Sequence, residues 1–447
     1  MGRQALGLLM KKFPKGPPLG RSELGKIFSD NPFPFLRECV NNYGSIFTLE
    51  LGDFGLTEFG ANGKWVFLTQ PEQLRQLFKA NHTVMHAGEA NDLQFLKLMP
   101  RQCSVVIDGD THLARRRLIN KPFMGVKTYT ERMRLCTRNV IAGLPDGNSF
   151  SLFYYLKVIA KDTIVDTVLG GEDKNQTEKV CDRIVELEQL GIAYEERLNI
   201  CSELTKLVAS ILETRRREPN RSRQPDVMSF LIAAQSDNGE ALTDAELCDE
   251  LVALLVGGVG TTATMMTWAF YWILSCPHVY HELRKEINDV LRGGPVNSEN
   301  VEHLQYLDLV LLETFRISPF LFNASLRLLK NSFKIDGFNL PKGTLVANCS
   351  YLLHMNPDIY PDPDRFMPER FKGIKVSPYH WAPFGGGSRH CVGHSFAMHE
   401  TKVVTSTMLG MTKLELAKQV NRPEFQGAFY APEGGLRVRV AQRFTDQ

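Results

Sequence analysis

The longest apolar stretch in the chain predicts a buried central helix. Residues 243–246, Thr-Asp-Ala-Glu, form a capping box that begins this helix, and Pro277 ends it. Positions 251–274 carry no charge, so the stretch also has the length and composition of a transmembrane span. Because amphipathic patterns lie on both sides and no second span follows, we favour a helix that is apolar all round in the middle of a large core.

Helical periodicity continues through most of residues 111–317, whereas shorter apolar runs predict strands. The predicted strands are 46–51, 65–68, 325–329, 333–335 and 345–348, and a helix is predicted over 71–79. Residues 80–110 show no clean period and are predicted to be mostly irregular. The pattern therefore favours a mainly α fold with a smaller β portion, the α+β class.

Composition and charge narrow the class of protein. The 447 residues are 43% hydrophobic and 23% charged, which is ordinary for a soluble globular protein. The net charge of +2 gives no general attraction to nucleic acid, so no nucleic-acid partner is expected. Nine cysteines lie scattered without CxxC spacing, which favours reduced thiols in a cytoplasmic protein over a disulfide framework.

Two segments are interpreted as surface features. Residues 1–22 are predicted to be a flexible N-terminal segment, in which the apolar patch at 5–10 is far shorter than the ~20 residues of a spanning helix. At most this patch could support peripheral membrane association. The basic run at 215–223 could be a nucleic-acid or membrane patch, but no aromatic residues interleave with it, and we favour a solvated loop.

A glycine-dense loop at 383–393 contains a single cysteine, Cys391, just before an amphipathic run. Glycines would let the backbone approach a large flat group. A cysteine at the start of a helix lies where the dipole and free N–H groups favour the thiolate, which is a ligand for haem iron. A buried structural cysteine and a zinc site with His390 and His394 are the alternatives, but zinc sites usually need paired ligands and no second cluster is present in the sequence.

This loop resembles the haem-binding loop of the cytochrome P-450 family, Phe-x-x-Gly-x-Arg-x-Cys-x-Gly. The fixed positions are filled by Phe384, Gly387, Arg389, Cys391 and Gly393, and the helix that follows continues the likeness with Ala397 and Glu400. The resemblance covers residues 43–440. It implies haem b ligated by Cys391 and the family fold as a single domain over 1–447, with β-rich portions at 43–70 and 320–350 and helical portions at 71–319 and 393–415.

Two further groups of residues match the family's haem-supporting positions. Glu313 and Arg316 lie three apart on one helical face, and the resemblance implies that Arg370 of a Pro-Glu-Arg-Phe segment joins them in a buried triad that holds the cysteine loop. The resemblance also implies that the two haem propionates are bound by His112, Arg116, Arg327 and Arg389. For His112 and Arg116, the alternative is that they lie on a solvated basic helix.

The central helix carries Gly-Gly-Val-Gly-Thr-Thr at 257–262. Each glycine within a helix costs about 1 kcal/mol, which is tolerated where something approaches closely, and tight helix packing is one explanation. The segment also resembles the family's oxygen-binding groove, in which Thr261, beside Thr262, fills the hydroxyl position that serves proton relay. Gly260 stands where the family places an acid, so protons would have to come through water, the substrate or another residue.

The positions that match the family's substrate contacts are mainly apolar, which implies an apolar pocket. They are Val105, Val106, Val256, Val259, Phe320, Leu321, Phe322, Ala428 and Phe429, with Asn323 as the polar member that could orient a hydroxyl or carbonyl group.

The resemblance implies a haem-thiolate monooxygenase, expected as a monomer, that inserts one atom of O2 into a lipophilic molecule such as a terpenoid, steroid or fatty acid. Electrons would come from a separate donor, either a ferredoxin with its reductase or a flavodoxin-type or diflavin reductase. An acidic donor could dock on the basic group Arg115, Arg117, Lys121, Lys127 and His390. The alternative, which Gly260 raises, is a peroxide-driven peroxygenase or a haem-thiolate isomerase; a haem-based sensor or carrier ranks last.

Overall fold

The structure is a computed structural model that describes most of the chain. The described residues are 11–52, 56–94, 98–171, 174–187, 189, 192–217, 225–235, 239, 241–420, 422–426 and 429–444. The apolar patch at 5–10 and the predicted pocket residue Ala428 lie outside them.

Helices make up most of the described chain. They are α1 (Arg21–Asp30), α2 (Pro32–Tyr43), α3 (Pro71–Lys79), α4 (Gly88–Gln94), α5 (Gly109–Ile119), α6 (Thr130–Ala142), α7 (Leu152–Leu169), α8 (Lys174–Leu187), α9 (Tyr194–Arg217), α10 (Val227–Ala233), α11 (Asp244–Ser275), α12 (Pro277–Leu291), α13 (Gln305–Ile317), α14 (Ser350–His354) and α15 (His394–Met411). The mainly α class with a smaller β portion is confirmed.

The strands form small sheets. They are β1 (Ile46–Leu49), β2 (Trp65–Leu68), β3 (Met85–His86), β4 (Phe150–Ser151), β5 (Ser325–Leu329), β6 (Phe333–Ile335), β7 (Phe338–Leu340), β8 (Leu345–Asn348), β9 (Thr412–Leu416), β10 (Pro423–Phe425), β11 (Tyr430–Pro432) and β12 (Arg437–Arg443). The largest sheet has the order β1-β2-β8-β5-β3, so the two β-rich regions meet where β2 runs parallel to β8.

The central helix α11 begins and ends where the sequence predicts. The Thr243 hydroxyl accepts from the Glu246 N–H, which caps its first turn, and the helix ends before Pro277. Among the described residues it is the one helix that is long and apolar enough to cross a membrane, but 72% of its most apolar window is buried. It packs along α7 in the main core, so the expectation of a buried helix is confirmed.

Residues 80–110 are mostly irregular, as expected, and contain the short elements β3 and α4.

The basic run at 215–223 needs correction. Arg215 is not in a solvated loop: it lies in the last turn of α9, 4% exposed, and its Nη1 is 2.7 Å from Asp226 Oδ2. A buried carboxylate therefore accounts for this arginine. Residues 218–223 of the run lie outside the described chain.

Part of the predicted flexible N-terminal segment is packed against the sheet. The Thr48 N–H donates to the carbonyl of Lys15, and the Thr48 hydroxyl donates to the carbonyl of Pro14. Residues 14–16 therefore extend the hydrogen bonding of β1 rather than projecting freely into solvent.

Candidate functional site

Cys391 lies in the long connection between α14 and α15, just before α15. Its N–H donates to the Phe384 carbonyl at 3.0 Å, which closes the loop on itself. Burial raises the pKa of Cys391, whereas the N–H groups of Gly393 and His394 and the charge of Arg116 act in the opposite direction. Cys391 is classed as exposed by its accessible surface, so its side chain is not covered by the protein.

The glycines of this loop are explained by a neighbouring helix. A Cβ on Gly386 would lie 2.3 Å from the Phe78 ring, and one on Gly387, whose φ is +66°, would lie 2.4 Å from the Phe78 carbonyl oxygen. Phe78 is part of α3. The expectation that these glycines admit a flat ligand is therefore wrong for Gly386 and Gly387, because α3 fills the space that a side chain would need.

The predicted propionate-binding residues come together as a cationic cluster, in which Arg327 is buried and Arg116 and Arg389 are half-buried. Arg389 donates to Asp108 Oδ1 at 2.5 Å, Arg116 donates to the His390 carbonyl at 2.5 Å, and Arg327 donates to the Leu326 carbonyl at 2.8 Å. The side chain of His112 is also buried, and its Nε2 lies 3.2 Å from the Ser388 carbonyl oxygen. Among the described residues, Asp108 is the one carboxylate to which any of these four side chains hydrogen-bonds.

Burial and mutual repulsion lower the pKa values of two members of this cluster. Burial and the charge of Arg389 lower the pKa of Arg327 to about 9, and burial and the same charge lower the pKa of His112 to about 4. Nε of Arg116 is buried without a hydrogen-bond partner in the described part of the chain. Guanidinium groups in this situation fit a ligand with two carboxylates, which is what haem provides.

The structure brings the predicted triad into contact. Arg316 donates from Nε and Nη2 to the two oxygens of Glu313 at 2.7 and 2.8 Å, and Arg370 Nε donates to Glu313 Oε1 at 3.0 Å. Glu313 and Arg316 have no exposed surface. Because a buried charge without its partner costs about 3–5 kcal/mol, the three side chains depend on one another.

His354 is a site residue that the sequence analysis missed. The Arg316 guanidinium donates to its carbonyl at 2.8 Å, its Nδ1 lies 3.0 Å from the Arg316 carbonyl oxygen, and its Nε2 accepts from the Ala382 N–H at 3.1 Å. Burial and the charge of Arg316 lower the pKa of His354 to about 3, so the ring is neutral and donates from Nδ1. A single histidine in a short helix gives no sequence signal for this link.

The glycines of α11 have different surroundings. A Cβ on Gly258 would lie 2.7 Å from Ile164 of α7, so helix packing explains this residue. Gly257 is exposed, and nothing lies within 4 Å of its Cβ position. The Thr261 hydroxyl donates to the Gly257 carbonyl at 2.7 Å. Gly260 and Thr262 are buried in the helix, and the Gly260 carbonyl accepts from the Thr264 hydroxyl.

Five of the ten predicted pocket residues fall into two groups. Val105 and Val106 pack with Val256 of α11. Phe320 stacks on Phe429, with the ring centroids 5.0 Å apart and an interplanar angle of 8°.

The other predicted pocket residues differ in their surroundings. Phe322 does not join either group, because it packs edge-on against Phe28 in the cluster next to the sheet. Val259 is buried in the main helical core. Leu321 is half-buried, and Asn323 is buried with no partner for its Oδ1 among the described residues.

One of the residues predicted to bind a redox partner is not at the surface. Arg115 is 4% exposed and is ion-paired with Glu246 and Glu250 of α11. Successive residues of a helix point in directions about 100° apart, so Arg115 faces the core while Arg117 faces solvent. Lys121 and Lys127 are exposed, and His390 is half-buried.

Comparison with known proteins agrees with this site. A sequence model of the cytochrome P-450 family matches residues 14–439. The protein named cytochrome P-450 135B1 of Mycobacterium tuberculosis is 31% identical, with 98% of this chain and 92% of that protein covered. Cytochrome P-450 138 of the same organism is 28% identical, with 96% of each chain covered. The solved structure of retinoic-acid-bound cyanobacterial CYP120A1 matches with a TM-score of 0.85 at 23% identity, covering 97% of this chain and 100% of that one, and supports the fold.

A cysteine at a helix start, a cationic cluster beside it and a glycine-rich central helix are features that a haem-thiolate enzyme needs. The chain belongs to the cytochrome P-450 family. It is therefore a cytochrome P-450 monooxygenase, and family membership implies a cysteine-ligated haem, O2 as a substrate and a separate redox partner.

Proposed function

We propose that this protein uses haem b, ligated by Cys391, to insert one oxygen atom into a C–H or C=C bond of a lipophilic molecule such as a terpenoid, steroid or fatty acid. The observation that carries this proposal is that Cys391, an exposed cysteine just before α15, adjoins the cationic cluster, because Arg116 donates to the carbonyl of the neighbouring His390. When bound, the haem supplies O2 activation, and the protein provides its ligand, orientation and surroundings. No contact among the described residues favours the peroxide-driven or isomerase alternative.

The cationic cluster would hold and orient the haem through its propionates. Among the described residues, Nε of Arg116 has no hydrogen-bond partner, and Arg327 donates one hydrogen bond, to the backbone carbonyl of Leu326. Both guanidinium groups therefore have donors left for carboxylate oxygens. Arg389 and His112 would complete this cluster, with Asp108 fixing the direction of the Arg389 side chain.

Thr261 would hold and pass on a proton at its Oγ1. Its hydroxyl donates to the Gly257 carbonyl at 2.7 Å, so the oxygen has lone pairs available to accept from water, and the hydroxyl can turn to donate elsewhere. Because Gly260 has no side chain to supply a proton, we propose that water in the open space beside Gly257 does so.

The substrate would be bound mainly by apolar contact. The stacked rings of Phe320 and Phe429 and the valines at 105, 106 and 256 offer apolar surface, which favours a lipophilic molecule. Asn323 has a buried oxygen without a partner, and a substrate donor such as a hydroxyl group would satisfy it.

The redox partner would dock on a surface that we call the basic face: Arg117, Lys121, Met124, Lys127 and His390. Met124 is 81% exposed and lies between the two lysines in sequence. An apolar residue among basic ones suits an acidic ferredoxin or flavodoxin-type protein, or the flavin domain of a diflavin reductase. We further propose that the protein functions as a monomer and a single domain in the cytoplasm.

The proposal is tested by titrating the purified ferric protein with terpenoids, steroids and fatty acids while recording the Soret band. A saturable high-spin shift with one class is expected, because a substrate above the iron displaces its water ligand. Absence of a shift with every class, in a protein whose reduced CO complex has a thiolate-type spectrum, would contradict the lipophilic substrate and leave the haem-thiolate centre intact.

A further inference from the structure

Ser104 makes hydrogen bonds in two opposite directions. Its N–H donates to Glu250 Oε1 at 2.6 Å, and its hydroxyl donates to Glu250 Oε2 at 2.9 Å. Its carbonyl accepts from Arg389 Nη1 at 3.1 Å and lies 3.0 Å from His112 Nδ1. Ser104 therefore joins the central helix α11 to the cationic cluster.

Glu250 is also paired with an arginine through the oxygen that accepts from the Ser104 N–H. Arg115 Nη1 donates to Glu250 Oε1 at 3.1 Å and to the Gln102 carbonyl at 2.9 Å, while its Nη2 donates to Glu246 Oε1 at 2.6 Å. Asp249 accepts from the Gln102 N–H at 2.8 Å. Glu250 is 1% exposed, and a carboxylate so deeply buried is retained where charged and polar partners compensate it, as they do here.

The tethered segment leads directly into the proposed substrate pocket. Val105 and Val106 follow Ser104 and pack with Val256 and Ala253 of α11. Residues 99–107 contain turns and no helix or strand, so no backbone ladder fixes their distance from α11. The Glu250 carboxylate supplies two of the hydrogen bonds that set this distance.

We propose that Glu250 is a positioning residue that determines which molecules the pocket admits. It binds Ser104 and thereby holds Val105 and Val106 against α11, which fixes one wall of the pocket. Glu250 itself faces Ser104 and Arg115 and acts through them. This inference rests on the proposed function, because it assumes that ligands bind between this wall and the iron.

The experiment compares Ser104→Ala and Glu250→Gln with the wild-type holoenzyme. Both variants keep the side-chain volume close to the original, so both are expected to fold. Glu246→Gln is the matched control, since it removes the same charge from the surroundings of Arg115 without touching Ser104. The probes are two iron-binding azoles of different size, imidazole and clotrimazole. Their association rates are measured by stopped flow from the shift of the Soret band.

Loss of one hydrogen bond at Ser104 is expected to speed amide hydrogen exchange in residues 102–106 by up to about tenfold. Clotrimazole should associate faster by a similar factor in both variants, because a looser wall admits a bulky ligand more readily. Imidazole association and all rates of the Glu246→Gln control should stay at the wild-type value.

Two results would overturn the proposal. Unchanged exchange and unchanged clotrimazole rates in both variants would show that the Ser104–Glu250 contact positions nothing. If imidazole and clotrimazole both associated faster by the same factor, and did so in the control as well, the substitutions would have loosened the protein in general. The pocket would then not select ligands by size through Glu250. If the wild-type protein gave no azole shift, the haem site of the proposed function would fail, and the exchange rates would then decide whether the tether exists.

Discussion

The imidazole Nε2 of His354 accepts a hydrogen bond from the Ala382 N–H at 3.1 Å, while the opposite ring nitrogen lies 3.0 Å from the Arg316 carbonyl oxygen. One neutral ring thus connects the helix of the Glu313–Arg316 pair to the backbone that begins the cysteine loop. Within the described part of the chain, no triad side chain hydrogen-bonds to this loop, so His354 supplies a direct connection between the two.

His354→Gln should destabilise the protein by about 1–3 kcal/mol at pH 7, because a buried N–H or carbonyl loses its partner. The pH profile should also change. The folded pKa of His354 is lowered to about 3, so between this value and about 6.5 the unfolded chain binds the extra proton and stability falls as the pH falls.

Denaturant unfolding of wild type and His354→Gln between pH 4 and pH 7 measures both effects. The variant should lose less stability on acidification than the wild type. His278→Gln, at an exposed position of α12, is the control and should follow the wild-type profile. Parallel profiles for wild type and His354→Gln would contradict the neutral buried ring.

Glu400 of α15 is a buried carboxyl group without a basic partner. Its side chain has no exposed surface, neither oxygen makes a well-formed hydrogen bond in the described part of the chain, and the Thr163 hydroxyl is the polar group nearby. Burial raises its pKa well above the ordinary value, so folding must keep it protonated.

Glu400→Gln should therefore stabilise the protein, and increasingly so as the pH rises above about 4.3, the ordinary pKa of the unfolded carboxyl group. Below that pH the Glu400 carboxyl group is protonated in both the folded and the unfolded state, so the wild type and the variant should differ little in stability. Thermal unfolding at pH 4, 6 and 8 measures the difference, with the exposed Glu299→Gln as the control. A destabilised Glu400→Gln protein at pH 8 would show that the carboxylate is ionised and has a partner.

Charge reversal on the basic face should slow reduction by an acidic redox partner. Lys121→Glu removes one positive charge and adds a negative one beside the exposed Met124, so the association rate should fall, and the fall should shrink as salt is added. Stopped-flow reduction of the haem by a ferredoxin gives this rate. The control is Lys334→Glu, on the β6–β7 hairpin, which should leave the association rate unchanged. If both charge reversals slowed association equally, the basic face would not be a defined docking surface.

Thr261→Ala should reduce the amount of product formed per electron pair, with the difference appearing as hydrogen peroxide. The change removes the hydroxyl that donates to Gly257 at 2.7 Å, and no acid at position 260 can take over. Thr261→Ser should restore coupling because it restores the hydroxyl. The yields of product and of hydrogen peroxide per NAD(P)H consumed measure this fraction. If the alanine variant formed as much product per electron pair as the wild type, Thr261 would have no role in proton delivery.

Local sequence patterns predicted the class of fold and the elements that carry local signals. The capping box of α11, the proline that ends it and the strand at 65–68 are all where the pattern places them, because short-range propensities determine them. The motif around Cys391 also pointed to the haem-thiolate family, since its residues are adjacent in sequence.

Contacts between distant segments could not be predicted in this way. Arg115, Arg116 and Arg117 look alike in sequence, yet their directions around α5 differ. Arg115 bonds to α11, Arg116 bonds to the cysteine loop, and Arg117 is exposed. The link from His354 to Ala382 and the tether from Ser104 to Glu250 likewise join segments that only the tertiary fold brings together.

The most direct test of the central claim is the absorption spectrum of the reduced CO complex in wild type, Cys391→Ser and a Cys201→Ser control. Cys391 is claimed to be the thiolate ligand of the haem, whereas Cys201 lies in α9 and has no such role. The wild type and the control should both show the strongly red-shifted Soret band of a thiolate-ligated haem, and Cys391→Ser should lose it. A Cys391→Ser protein that binds haem and keeps this band would contradict the account.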